Sequence, residues 1–243
     1  MQIDFTGRHA LVTGGTRGIG AAIARTLAAA GARVVATGSS ADSVARAGAV
    51  PGVELVAVDL ADAAATEAFA ARMAERDFDI LVNNAGINKI ALAGDLALAD
   101  WDRIQAVNVR APLVLCRALV RGMAERGYGR IVNISSIFGD VSRSQRASYT
   151  ASKYALRGLT RTLALDYASR AVLVNAVAPG FIDTELTRTV LGEAGMRAAA
   201  ERIPMGRLGG VDEIARVVAF LASEANSYLT GQHVVVDGGF TSE

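Results

Sequence analysis

RHALVTGGTRGIG, residues 8–20, joins a short apolar run to a glycine-rich turn, and an Ala-rich helical pattern follows. The apolar part reads as a strand. Gly14, Gly18 and Gly20 permit backbone angles that other residues avoid, and they let the main chain approach a diphosphate with no Cβ in the way. Thr16, Arg17 and Ile19 fill the turn between them. A helix that opens there presents unbonded N–H groups and a partial positive charge to phosphates. A glycine string alone is weak; its place in a strand–turn–helix unit gives it weight.

The same rhythm continues outward. Strands are expected at 8–13, 33–37, 53–58, 79–82, 129–135, 172–177 and 233–236, and amphipathic helices at 18–30, 62–76, 99–126, 149–169 and 211–223. The strand runs are apolar throughout, which predicts burial of both faces, as in a parallel sheet covered by helices. The expected fold is therefore α/β: one Rossmann-type, doubly wound parallel sheet of about seven strands, with helices on both faces, across 1–243 as a single domain. Between Pro179 and Gly210 the rhythm breaks. Residues 181–205 read as a substrate-binding lid with short helices of its own, the alternative being a plain surface connection.

Composition narrows the function classes. Twenty-five basic residues face 24 acidic ones, which offers no nucleic-acid or polybasic membrane surface. No apolar run has a membrane-spanning length, and the N-terminus carries no secretion-type leader. Cys116 sits alone in an apolar stretch and reads as a buried helix residue, so a cytoplasmic setting is expected. His9 and His233 lack metal-ligand neighbours, and no metal site is expected. Only two of the basic residues are Lys, Lys89 and Lys153; each holds a place where Arg has not replaced it.

The second strand ends Ala36-Thr37-Gly38-Ser39-Ser40, without the carboxylate that commonly holds an adenosine ribose. Small residues there leave room for a 2′-phosphate that Arg17 could pair with, which favours NADP(H) over NAD(H). Otherwise Arg17 is solvated and both cofactors fit. Asp59, followed by Leu60, either contacts the adenine edge or caps the helix that begins near Asp62. Tyr149 and Lys153, four apart in a helical pattern, share one helix face. An ammonium about 4 Å from a phenolate, at an effective dielectric of about 20, attracts it by roughly 4 kcal/mol before desolvation opposes it. That attraction draws a phenol that titrates near ~10 toward working pH.

These motifs together resemble those of the short-chain dehydrogenase/reductase family, over essentially the whole chain. The matches are Thr13–Gly20, Asn83-Asn84-Ala85-Gly86, Asn108, Ser136, Tyr149 with Lys153, Pro179-Gly180 followed by Thr184, and Asp237-Gly238-Gly239. The look is that of the β-ketoacyl carrier-protein reductase and sugar or polyol dehydrogenase branch. The resemblance implies that Tyr149 is the acid or base at the carbonyl oxygen and that Ser136, rather than Ser135, bonds the same oxygen. It implies that Lys153 lowers the Tyr149 pKa and grips the nicotinamide ribose, while Asn108 holds a water that links Lys153 to solvent. Asn84 and Gly86 would line the adenine-ribose side, Thr184 would hold the nicotinamide carboxamide, and Ala85, Pro179, Gly180 and Ile182 would also border the cofactor.

The expected activity is reduction of a ketone by NADPH, the alternative being an NAD-dependent alcohol, sugar or polyol dehydrogenase running oxidatively. The substrate is a small ketone or alcohol that could be carrier-bound, with Arg126, Arg130 and Arg170 as docking candidates. A homotetramer is expected by resemblance, through the helices at 99–126 and 153–169 and the C-terminal strand, with Ala155, Leu159, Leu163 and Leu173 on candidate faces. Arg143 and Arg146 either meet an anionic substrate or are solvated. Lys89 is expected at the rim of the site. Phe138, Leu186, Leu191, Met196 and Met205 either wall it or pack the core.

Overall fold

Seven strands lie side by side in the order β3-β2-β1-β4-β5-β6-β7, all parallel. The computed structural model describes residues 3–242, the side chain of Leu186 excepted. The first half runs β1 (His9–Val12), α1 (Gly18–Ala29), β2 (Arg33–Gly38), α2 (Ala41–Ala47), β3 (Val53–Ala57), α3 (Ala63–Ala74) and β4 (Ile80–Asn83). The second half runs α4 (Leu98–Gln105), a π-helical turn (Ala106–Arg110), α5 (Ala111–Glu125), β5 (Gly129–Ile134), α6 (Ala147–Tyr167), β6 (Val172–Pro179), α7 (Glu185–Glu201), α8 (Val211–Ala222) and β7 (His233–Val236).

The apolar strand runs follow from the pleat. Ala10 and Val12 of β1 pack on Ile23, Leu27 and Val218 from α1 and α8, while Leu11 between them packs with Phe69, Leu115 and Leu119 from α3 and α5. Successive side chains point to opposite faces, so a strand covered on both sides must be apolar throughout. The expectation fails at the two edges. β3 and β7 are only partly buried, because each has a neighbour on one side alone.

The helix expected over 99–126 is three pieces. Pro112 has no N–H for the carbonyl four residues back, which is that of Asn108, and the chain widens into a π turn there. The short α2 gave no periodic signal; Ser40 and Ser43 cap it reciprocally at 3.1 and 3.2 Å. Between Pro179 and Gly210, α7 breaks at Gly192, whose φ of 63° interrupts the helix. Among the described residues no helix is long and apolar enough to cross a membrane.

Candidate active site

The strand order reverses between β1 and β4, and loops leaving the carboxyl ends of the two strands diverge there and open a crevice. A cavity of about 460 Å³ occupies it, within the usual range for small-molecule sites. Gly14, Thr16, Arg17, Gly18, Ile19 and Gly20 form one end, with Ser39, Asp59 and Leu60 beside them. Asn84, Ala85 and Gly86 form its middle. Ser136, Tyr149, Lys153, Pro179, Gly180, Ile182 and Thr184 form the other end.

The glycines divide their work. Gly14 and Gly18 have φ of 65° and 55°, the left-handed region that disfavours a side chain. Gly20 is needed for packing: a Cβ there would lie 2.2 Å from the Gly14 carbonyl oxygen and 2.4 Å from Asn84 Nδ2. Asn84 Nδ2 donates to the carbonyls of Thr13 and Gly14 at 2.9 and 3.1 Å. Its amide therefore locks the turn to β4 while the residue borders the cavity. Arg17, at the N-cap of α1, gives that helix no side-chain cap, and its first turn holds no acid. The leading N–H groups are left for an anion.

At the glycine-turn end of the cavity, Arg17 is 72% exposed and pairs with Glu185 at 3.3 Å. A pair this exposed is worth about 0–1 kcal/mol, so Arg17 can exchange it for a phosphate. Asp59 does not cap α3; Asp62 does, accepting from the Ala65 N–H at 3.0 Å. Asp59 instead accepts from Ala61 N–H at 2.9 Å and faces Arg103 at 4.0 Å.

At the other end, Tyr149 and Lys153 share a face of α6, but the ammonium lies 5.4 Å from the phenol ring centroid and donates to the Ile134 carbonyl at 2.9 Å. Burial pushes the Tyr149 phenol above its ordinary value, and the Ser136 hydroxyl and Arg146 guanidinium draw it back. Burial pushes Lys153 down to about 8. The spacing points to the Lys153 ammonium as the charge that tunes Tyr149; in the folded chain the Arg146 guanidinium is a second cation that draws the phenol down. Ser135 and Ser136 both border the cavity, since β5 ends at Ile134. Ser136 Oγ accepts from Phe138 N–H at 3.2 Å, and Ser136 is the one beside Tyr149.

Asn108 stands behind the cavity wall, 1% exposed. Its side chain accepts from Ile87 N–H at 2.9 Å and donates to the Ile87 carbonyl and Ser152 Oγ at 3.0 Å each. Gly86 lies over both Asn108 and Lys153: a Cβ there would be 3.6 Å from each side chain. Thr184 caps α7, accepting from Thr187 N–H at 3.1 Å. Thr187, Val190, Arg103 and Phe181 also border the cavity and carried no readable signal; their spacing matches no motif, and only the course of the chain brings them in.

Several placements differ from expectation. Lys89 turns to Asp100 at 3.7 Å and does not border the cavity. Phe138 and Leu191 wall the site, whereas Met205 borders a second, smaller pocket and Met196 borders neither; the Leu186 side chain lies outside the described residues. Arg130 is buried and bonds the Ser223 and Asn226 carbonyls, and Arg126 pairs with Asp77 at 2.8 Å. Both lie by the amino end of β5, and Arg170 by the amino end of β6, the wrong end of the sheet for docking at this mouth. His9 stacks on Phe78 and His233 pairs with Asp140 at 2.6 Å. Among the described residues no cluster of metal-ligating side chains occurs. Cys116 is buried, its thiol pushed up to about 12.

Known proteins similar to this chain span its whole length. A family model described as enoyl-(acyl carrier protein) reductase matches residues 14–241. The 3-oxoacyl-[acyl-carrier-protein] reductase of Aquifex aeolicus is 42% identical over 250 residues, covering 98% of this chain and 99% of that protein. A gluconate 5-dehydrogenase from Burkholderia cenocepacia, solved with NADP and tartrate, is 36% identical with a TM-score of 0.90, covering 100% of this chain and 98% of that one. A candidate NAD(P)-dependent gluconate 5-dehydrogenase from Beutenbergia cavernae, with NADP at low occupancy, is 39% identical with a TM-score of 0.92, covering 100% of both chains.

Proposed function

We propose, for a chain that belongs to the short-chain dehydrogenase/reductase family, that it reduces a ketone to a secondary alcohol with NADPH, Tyr149 giving the carbonyl oxygen its proton. Membership makes it an NAD(P)-dependent oxidoreductase acting on CH–OH/C=O groups. The observation that carries the finer reading is one continuous cavity, bordered at one end by the uncapped glycine turn and at the other by Ser136, Tyr149 and Lys153.

The residues fit a dinucleotide. The N-terminus of α1 and Arg17 would take the phosphates, Ser39 leaves the ribose 2′ position open, and Asp59, Leu60 and Ala85 would flank the adenosine. Lys153 would hold the nicotinamide ribose, with Pro179, Gly180, Ile182 and Thr184 beside the ring. When bound, the reduced nicotinamide supplies the hydride.

The chain's own side chains position the substrate and move the proton. Burial keeps the Tyr149 phenol protonated, ready to donate as charge develops on the carbonyl oxygen. Ser136 Oγ bonds the same oxygen and fixes its approach. Lys153 supplies a nearby positive charge as Tyr149 gives up its proton. The Asn108 carbonyl, denied the N–H that Pro112 lacks, would hold a water toward Lys153 and refill the relay. Residues 181–205, which carry α7 with its break at Gly192, act as the lid. A second reading runs the same groups in reverse on a sugar or polyol, with Tyr149 as base; the two gluconate dehydrogenase structures favour its substrate class.

A nicotinamide absorbance assay with NADPH and NADH, against ketoacyl thioesters and keto-sugar acids, tests the reading. NADPH is consumed faster than NADH; the opposite preference overturns the cofactor assignment. Ser39→Asp places a carboxylate where the 2′-phosphate would sit. Repulsion of a few kcal/mol there lowers the NADPH:NADH ratio of kcat/KM by about 100-fold, and an unchanged ratio would place that phosphate elsewhere.

The assembly we propose is a cytoplasmic homotetramer. Leu163 and Leu173 are buried within the chain, so they form no interface. The outward faces are those of Tyr154 and Leu165 on α6 and Leu113 on α5, all exposed, and the open edge of β7.

A further inference from the structure

Among the described residues, Arg146 is the arginine bordering the cavity that has neither a salt-bridge nor a hydrogen-bond partner. It is the N-cap of α6, three residues before Tyr149, and it borders the cavity while only 8% exposed. Its Nε and Nη1 are shut off from solvent and hydrogen-bond no partner among the described residues. The other cations bordering the cavity are engaged: Arg17 with Glu185, Arg103 with Asp59, and Lys153 with the Ile134 carbonyl. The charged or titratable groups acting on Arg146 are Arg143 and Tyr149, neither of them a carboxylate. Phe138 lies 5.8 Å from the guanidinium and stacks without accepting a hydrogen bond.

An unpaired buried cation is costly, because removing one partner of such a pair destabilises a fold by several kcal/mol. The chain nonetheless holds Arg146 inward. Gln145 before it adopts φ of 66°, a left-handed conformation that a residue with a side chain seldom takes, and its carbonyl is tied to Ala91 N–H at 3.3 Å. Arg143, three residues earlier, stays exposed. A backbone turned against its preference so as to bury an unpaired guanidinium beside the acid of the site is the arrangement expected when the partner arrives with the substrate.

We propose that Arg146 is an anion subsite, and that the substrate is a keto acid, or the matching hydroxy acid, whose carboxylate pairs with this guanidinium while the reacting carbon lies at Tyr149 and Ser136. The inference rests on the carbonyl-reductase reading above and adds the charge of the substrate to it. A guanidinium that served only to tune the Tyr149 phenol would act on every substrate alike; one that binds a carboxylate discriminates by charge.

The test compares NADPH-dependent kcat/KM for 5-ketogluconate, its methyl ester and a neutral ketoacyl thioester, in wild type, Arg146→Gln and Arg146→Lys. Wild type prefers the acid to its ester. In Arg146→Gln the acid-to-ester ratio falls by about 100-fold, mostly through KM of the acid, and Arg146→Lys restores part of it. Because it is a ratio, it is insensitive to loss of folded protein. A wild type indifferent to charge, a ratio unmoved by Arg146→Gln, or reduction of the thioester with none of the acid overturns the anion subsite and leaves the reductase reading standing. Failure of wild type to consume NADPH with any of the three overturns the reductase reading itself.

Discussion

Tyr149→Phe lowers kcat for ketone reduction by about 10³-fold, the middle of the range for loss of a positioned acid. The substitution removes one oxygen and keeps the ring in its edge contact with Phe138, whose centroid lies 6.2 Å away. Fold and nucleotide affinity are therefore retained. Nucleotide binding, followed by quenching of protein fluorescence, changes by less than about twofold, since no binding energy is uniformly removed. A variant with near wild-type kcat would sink the assignment of Tyr149 as the acid. Ser136→Ala costs less, because the carbonyl oxygen keeps its bond to the phenol.

Lys153→Met gives the second large effect, and it separates stability from activity. Burial lowers the lysine from 10.5 to about 8. Between those values the unfolded chain holds a proton that the folded chain does not. Stability of the wild type therefore rises with pH across that window, and below about 8 the fold carries the full penalty of a buried charge. Methionine carries no such penalty. The unfolding free energy of wild type minus that of Lys153→Met thus shifts in favour of wild type by about 2–3 kcal/mol between pH 7 and pH 10, on the scale of one unit per roughly 1.4 kcal/mol. Chemical denaturation at the two pH values measures it. A difference that does not move with pH would mean that Lys153 is not desolvated in the folded chain. Activity goes the other way: kcat falls by at least about 100-fold at either pH, and reduction by wild type declines above about pH 8 as Lys153 loses its proton.

The elements that could be read in advance are those whose signal is local. β1 and the glycine turn declare themselves because a fully covered strand must be apolar and a turn with φ of 65° and 55° needs glycine. α2 escaped because seven residues give no periodicity, and its reciprocal serine caps look like any polar loop. The π turn escaped although its cause, Pro112 four residues after Asn108, was in plain view. A proline near the start of a helix normally reads as a good first-turn residue, and only the unbroken course of α4 into α5 makes it an interruption.

The composition set up a contrast between two lysines and 23 arginines, and the fold resolves it unevenly. Lys153 lies in the cavity and Lys89 at the surface with Asp100, so rarity marked one of the two. Among the arginines, Arg143 and Arg146 could not be told apart by type or spacing. Among the described residues one is exposed and the other buried without a hydrogen-bond partner, and the left-handed Gln145 lies between them.

What the sequence determined by itself is the alternation of strand and helix, the glycine turn between β1 and α1 and the i, i+4 placement of Tyr149 and Lys153. Each is set by periodicity or a fixed offset within a few residues. What only the tertiary structure decided is which charges face the cavity and how far each group is withdrawn from water. Burial raises Tyr149, lowers Lys153 and leaves Arg146 unpaired. Desolvation depends on every element packed around a group, and no window of sequence contains that sum.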